Sequence, residues 1–369
     1  MPNRTKTVAL VQTQAENAGA QEVARQLEQG FARHGWRTRQ IFFFRRTDSF
    51  DNEPNVFFCA RERPSNLLGV LKLMGELYKE FRREQPDVVV TLQHYGNVIA
   101  APLARFACKP MIVANLSTPP QMVPGSVALA DKMLGTAGFY DHIVANSQQT
   151  ESDYRSYPQP YTRRITRIDH GFFDKSANIG KAEARAQLSL PQDVTLLGCA
   201  ARLHSMKQID LAIRILGENR EQHLALAGQG PERENLETLA AELGVTDRLH
   251  FVGELDTAKM GVFLASIDCF VFPSSMETFG LAVVEAAQAG VPVVANDLDV
   301  LREVLAVDGE PCAILIDAQD TRAFAAAVRR VLDDASLSAA LTSAGRRLCE
   351  RYPLDAMIEA YLKLMEPAA

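Results

Sequence analysis

Short apolar runs alternate with helical patterns along this chain, and the alternation occurs twice, once on each side of a break near its middle. Succession of that kind dictates parallel sheets with helices on their faces, because a parallel neighbour is reached only by a crossover long enough to hold a helix. Thr7 to Gln12 reads as the opening strand, and Gly19 to His34 as the helix after it, with Ala20, Val23, Ala24, Leu27 and Phe31 at helical spacing. Arg39 to Phe44, Asp87 to Leu92, Met111 to Asn115 and His142 to Asn146 read as further strands, and Leu67 to Arg83 and Ile99 to Ala107 as helices. From Pro158 to Gln192 the pattern breaks into Pro-, Arg-, Gly- and Lys-rich sequence with one short apolar segment, Ile165 to Ile168, and a hinge is placed there. Thr195 to Ala200, His223 to Ala227, His250 to Val252, Cys269 to Phe272 and Pro292 to Asn296 then form a second strand series, with Ile209 to Leu216 and Arg233 to Leu243 as helices. Arg351 to Met365 is an amphipathic terminal helix that needs a surface to cover its apolar stripe. The expected fold class is α/β, doubly wound, in divisions 1–178, 179–350 and 351–369.

Composition narrows the function classes. With 369 residues, 47% of them hydrophobic, the chain can fill two cores and is neither disordered nor fibrous. No apolar run approaches the ~18 residues that cross a bilayer, and the short N-terminal run Thr7 to Val11 suits a buried strand better than a leader, so a cytoplasmic protein is expected. Six well-separated cysteines, without a metal-ligand spacing, read as buried free thiols, and no metal is expected. A net charge of -6 argues against a nucleic-acid partner. The first 180 residues hold 22 Lys+Arg against 17 Asp+Glu, and the remainder 17 against 28. The basic half leaves open peripheral contact with an anionic membrane face, for which Phe42-Phe43-Phe44-Arg45-Arg46 has the composition. The plainer reading of that stretch is a strand end with solvated arginines.

In parallel sheets ligands bind outside the carboxyl ends of strands, so the loops that follow strands carry the chemistry. After Phe270-Val271-Phe272 comes Pro273-Ser274-Ser275-Met276-Glu277-Thr278-Phe279-Gly280, leading into the helix Leu281 to Ala287. A glycine-bearing turn that feeds a helix exposes unpaired amides at the positive end of a dipole, a seat for phosphate. Glu277 and Glu285 can accept from hydroxyls beside that anion; alternatively Glu277 caps the helix and Glu285 is a solvated helix position. After Thr195 to Ala200 comes Arg202-Leu203-His204-Ser205-Met206-Lys207, where two cations can neutralise a diphosphate and stabilise its departure, or simply meet solvent. Gly228-Gln229-Gly230 begins like a dinucleotide fingerprint, but Arg233 occupies the third glycine's place, so it reads as a tight turn. In the first half His94, past a strand end, can donate to a sugar hydroxyl or phosphate or serve a structural hydrogen bond. Gly19 lets backbone approach a ligand closely. Asp297-Leu298-Asp299 has a metal-chelating spacing but reads as a loop.

Taken together these loops resemble the retaining glycosyltransferases of family four. The resemblance rests on Asp141 to Ser147, Arg167 to Asp174, Leu226 to Pro231 with His250 to Gly253, and Glu277 to Glu285. It implies the GT-B fold: two facing Rossmann-like domains, a deep interdomain cleft and a C-terminal helix crossing back to the first domain. Division 1–178 would then bind the acceptor and 179–350 the nucleotide sugar, with 351–369 packing back on the first. The resemblance assigns Glu277 and His94 to the donor sugar, and the amides of Thr278, Phe279, Gly280 and Leu281 to its hydroxyls or diphosphate. Arg202, Lys207 and Gly19 would hold the diphosphate, Glu285 the ribose, and the stretch from Gly253 to Leu255 the base. It implies hexose transfer from a nucleotide-diphosphate sugar to a carbohydrate or lipid-linked acceptor, in polysaccharide or glycoconjugate biosynthesis, with no cofactor and no metal. Ala18, Gln208 and Asp299-Val300 depart from the family's usual small residues. A nucleotide-sugar epimerase and a non-catalytic nucleotide-sugar-binding protein are the alternatives.

Overall fold

The computed structural model describes residues 5–366; residues 1–4 and 367–369, part of the terminal segments read above, lie outside the described residues. Two compact units form, one from the residues up to Gly171 together with those from Leu354 onward, the other from Phe172 to Pro353.

The first unit is a seven-stranded parallel sheet. Its strands are β1 (Thr7–Ala15), β2 (Arg37–Arg45), β3 (Val56–Ala60), β4 (Val88–Thr91), β5 (Met111–Leu116), β6 (His142–Ala145) and β7 (Ile165–Arg167), in the order β3-β2-β1-β4-β5-β6-β7. Val8, Leu10 and Val11 of the central strand are fully buried, as a strand covered on both faces requires. The segment between Ala60 and Val88 folds as the helix Leu67–Glu84, started by Asn66, whose side chain accepts from the Gly69 amide at 2.9 Å. The last helix, Leu354–Leu364, belongs to this unit. It lays Ile358 and Tyr361 against Gly30 and Phe31 of the helix Gly19–Arg33, and the Tyr361 hydroxyl reaches Asn115 Oδ1 at 2.5 Å. The expected helix over 351–365 is therefore two pieces, Leu348–Arg351 and Leu354–Leu364, interrupted at Pro353, which lacks the amide a continuous helix needs.

The second unit carries a six-stranded parallel sheet of β8 (Thr195–Ala200), β9 (Gln222–Ala227), β10 (Leu249–Gly253), β11 (Cys269–Phe272) and β12 (Val293–Asn296), a short antiparallel pair β13 (Ala306–Val307) and β14 (Glu310–Pro311), and then β15 (Ile314–Ile316). The sheet order is β10-β9-β8-β11-β12-β15. Phe172 starts this unit because its ring packs 5.7 Å from Phe279 and 6.3 Å from Tyr352 inside the second core. The break between the two strand series is also more ordered than its composition reads: it holds β7 and the helices Gln159–Thr162 and Lys181–Gln187.

Of the two readings of Phe42-Phe43-Phe44-Arg45-Arg46, the structure has the plainer one, the end of β2 with its arginines exposed. All three rings are buried, Phe42 packing 4.7 Å from Phe50, while Arg45 pairs with Asp51 and Arg46 with Glu16. A central strand buries both faces, so an aromatic run there is core. No helix among the described residues is long and apolar enough to cross a membrane.

Candidate active site

Strand order reverses direction once in each sheet, between β1 and β4 in the first unit and between β8 and β11 in the second. At such a switch the loops leaving neighbouring strands run to opposite faces and open a crevice at the carboxyl ends. Four of the loops singled out from sequence leave these four strands.

In the second unit backbone bonds stitch the loops into one floor. The Ala201 amide donates to Ala227 O at 3.0 Å, Leu203 to Gln229 O at 3.0 Å, Gly228 to Gly253 O at 2.7 Å, and Ser275 to Met206 O at 2.9 Å. The Asn296 amide nitrogen donates to Ser274 O at 3.0 Å. Arg202 and Lys207 thus lie on the same floor as Glu277. Lys207 Nζ stands 2.6 Å from Glu277 Oε1, with side chains 23% and 11% exposed, so neither is a solvated surface group. Gln208, where glycine was the expected type, sits in left-handed backbone at φ 46°, which accounts for the preference.

The helix Leu281–Gln288 begins at Gly280 in left-handed backbone and no side chain caps it, while the Val283 and Val284 amides donate to Gly280 O at 3.1 and 3.2 Å. The Phe279 ring is core, 5.2 Å from Tyr352, so the side chain serves packing. Glu285 is not a solvated helix position: its carboxylate, 8% exposed, lies 2.6 Å from Lys175 Nζ. Gly253 ends β10 with φ 79°, and Leu255 packs partly buried against the core. Asp299 begins the helix Asp299–Val304 instead of extending a loop. Arg302 holds Asp297 at 2.6 Å and Asp299 at 3.1 Å, which occupies the Asp-x-Asp pair with a guanidinium.

In the first unit Gly19 opens the helix after β1, and His94 follows the neighbouring β4. Ala18 is extended (φ -147°, ψ 173°), a conformation open to any residue, so alanine there costs the turn nothing. His94 is buried, with Nε2 2.7 Å from the Tyr154 hydroxyl. That hydroxyl donates its one proton to Thr118 O at 2.9 Å, so His94 must donate from Nε2. Burial holds the imidazole below its ordinary pKa, against the pull of Asp131, and therefore neutral near pH 7. In that neutral tautomer Nδ1 carries no proton and can only accept, so the side chain holds no second donor.

Sequence reasoning missed Lys175 and Tyr154. Each acts on a partner far away in the chain, Glu285 and His94, and no periodicity records such a pairing.

A family profile described as "Glycosyl transferases group 1" matches residues 180–348, and one described as "Glycosyltransferase Family 4" matches residues 18–172. Among curated relatives, the lipopolysaccharide core biosynthesis glycosyltransferase LpsD of Rhizobium meliloti is 36% identical over 184 residues, 50% of this chain and 52% of that one. The D-inositol 3-phosphate glycosyltransferase of Streptomyces avermitilis is 32% identical over 235 residues, 60% of this chain and 50% of that one. The chain spans about half the length of the curated relatives it matches. Among solved structures, Anabaena HepE in complex with UDP and glucose superposes with a TM-score of 0.83 at 18% identity, covering 97% of this chain and 98% of that one. WaaG, a glycosyltransferase involved in lipopolysaccharide biosynthesis, superposes with 0.78 at 16%, covering 98% and 100%.

Proposed function

This chain belongs to the family-four, group 1 glycosyltransferases and has their GT-B fold, and from that premise we propose that it is a retaining hexosyltransferase using a nucleotide-diphosphate sugar. The observation that carries the reading is the ion-paired floor of the second unit: Arg202, Lys207 and Glu277 beside an uncapped helix start. Two cations and a row of amides match a diphosphate, and they stabilise the charge that collects on it as the glycosyl bond breaks. Lys207 reaches the phosphate as a point charge, while Glu277, held by Lys207, accepts from a sugar hydroxyl. Glu285 takes the ribose hydroxyls, Gly19 approaches the diphosphate and His94 accepts a hydroxyl of the hexose. Retention follows from front-face attack, in which the leaving phosphate receives the acceptor's proton, so the protein's part is orientation and charge stabilisation. The acceptor is a carbohydrate or lipid-linked glycan, in keeping with relatives named for lipopolysaccharide core and O-antigen biosynthesis.

The test is direct. The chain is incubated with UDP-, GDP- and ADP-hexoses and a panel of glycan and lipid-linked acceptors. We expect free nucleoside diphosphate and an α-linked product from an α-linked donor. A new nucleotide sugar formed without acceptor would instead mark an epimerase, and binding without turnover on any acceptor a sensor.

We also propose peripheral contact with an anionic membrane face. It is carried by the helix Leu67–Glu84, whose Leu67, Leu68 and Leu71 are 73%, 77% and 54% exposed beside the exposed cations Arg61, Arg63 and Lys72. Exposed apolar side chains on a helix that follows Arg61 and Arg63 and carries Lys72 match acyl chains beneath anionic headgroups. Co-sedimentation with phosphatidylglycerol vesicles should fall severalfold in Leu67→Ser/Leu68→Ser and in high salt. Equal binding of variant and parent would remove this helix from the membrane face.

A further inference from the structure

Resting on the reading of Glu285 as the ribose ligand, we propose that Lys175 is a positioning residue for nucleotide binding: it holds the Glu285 carboxylate charged and aimed at the ribose hydroxyls. The two side chains are 5% and 8% exposed, and their 2.6 Å contact joins the segment after Gly171 to the helix Leu281–Gln288. A carboxylate buried to that degree keeps its charge only with a partner, and an ionised carboxylate accepts from a diol as its neutral acid cannot.

The segment is fixed, so Lys175 is not a surface arm that happens to reach Glu285. A Cβ added at Gly261 would lie 2.3 Å from Lys175 O, which shows how closely the helix Thr257–Ser266 abuts this backbone. On either side, the Phe172 amide donates to Tyr352 O at 2.9 Å, and the Ser176 amide to Asp174 Oδ1 at 2.8 Å. The Lys175 ammonium also lies 5.6 Å from the Phe173 ring centroid. Backbone and stem are therefore held before any ligand arrives, and the carboxylate they orient is preorganised.

The test titrates UDP, GDP and ADP, calorimetrically, into the full chain and its Lys175→Met, Glu285→Gln and doubly substituted forms. The tightest of the three is then repeated as its 2′,3′-dideoxy analogue. We expect Lys175→Met to weaken the ribonucleotide about tenfold, to leave the dideoxy analogue unchanged, and to cost nothing further once Glu285 is Gln. Equal ribonucleotide binding by parent and Lys175→Met would overturn the role, as would an equal loss on the dideoxy analogue, which is the sign of a structural effect only. Should Lys175→Met not fold, Lys175→Gln, which keeps a donor but no charge, is read in the same way. A parent that binds none of the three nucleotides overturns the proposed function with it, whereas a parent that binds ribo- and dideoxy-nucleotide alike removes Glu285 from the ribose.

Discussion

Alanine at position 207 will lower the kcat of sugar transfer by about 10²–10³-fold, the usual cost of deleting one preorganised charge at a departing anion. Two losses combine. The ammonium no longer meets the diphosphate, and Glu277, 2.6 Å away in the parent, keeps a partly buried carboxylate with its cation gone. The donor's KM should move less than kcat, because charge builds on the leaving phosphate mainly in the transition state. Lys207→Arg restores the charge but not the point-like geometry, and should recover only part of the rate. Near-parental kcat in Lys207→Ala, with donor turnover established for the parent, would dismiss the ion-paired floor as the place of reaction. The fold should survive, since Lys207 ends the one-turn 3-10 helix Ser205–Lys207, outside the sheet.

The second large effect is expected at Gly228→Ala. Gly228 follows β9 with φ 134°, where a side chain is strained, and a Cβ there would fall 2.0 Å from Ala201 O, a backbone atom with no rotamer to yield. Either the turn or the strand end next to Arg202 must shift. The Gly228 amide also donates to Gly253 O, so three of the stitched loops lose register together. Strain and displaced hydrogen bonds should cost about 2–4 kcal/mol, and Tm of the second unit should fall by roughly 10 °C. Nucleotide affinity should drop with it, because Arg202 is carried on the displaced backbone. Differential scanning calorimetry reads the first effect and titration the second; a Tm within about 2 °C of the parent would mean that the loops tolerate separation, contrary to the geometry.

Both expectations depend on features of unequal visibility in the sequence. The strands beginning at Thr195 and Cys269 are legible to the residue, because a buried parallel strand is a compact apolar run bounded by turn residues. The strand Val56–Ala60 and the helices Gly125–Thr136, Thr321–Asp333 and Ala335–Arg346 are not singled out in that reading. β3 lies at the sheet edge, partly exposed, and the helix Gly125–Thr136 buries only Asp131 and Gly135, so neither shows a clean apolar face. The helix Thr321–Asp333 has no such excuse: Phe324, Ala325, Ala327, Val328 and Val331 form a plain helical stripe.

What the amino-acid order determined alone is the double run of strand and helix, and with it parallel sheets, strand-end loops and the residue types those loops carry. Local chemistry decides these, since periodicity, turn formation and charge are properties of neighbouring residues. Strand order was decided only by the folded chain: that β1 meets β4 and β8 meets β11 turns four separate loops into two crevices. So were the partners of the ionisable groups. Lys175 finds Glu285 across 110 positions, and Tyr154 finds His94 across 60, the latter fixing which imidazole nitrogen carries the proton. Such pairings depend on which surfaces pack against each other, and packing is a property of the whole sheet.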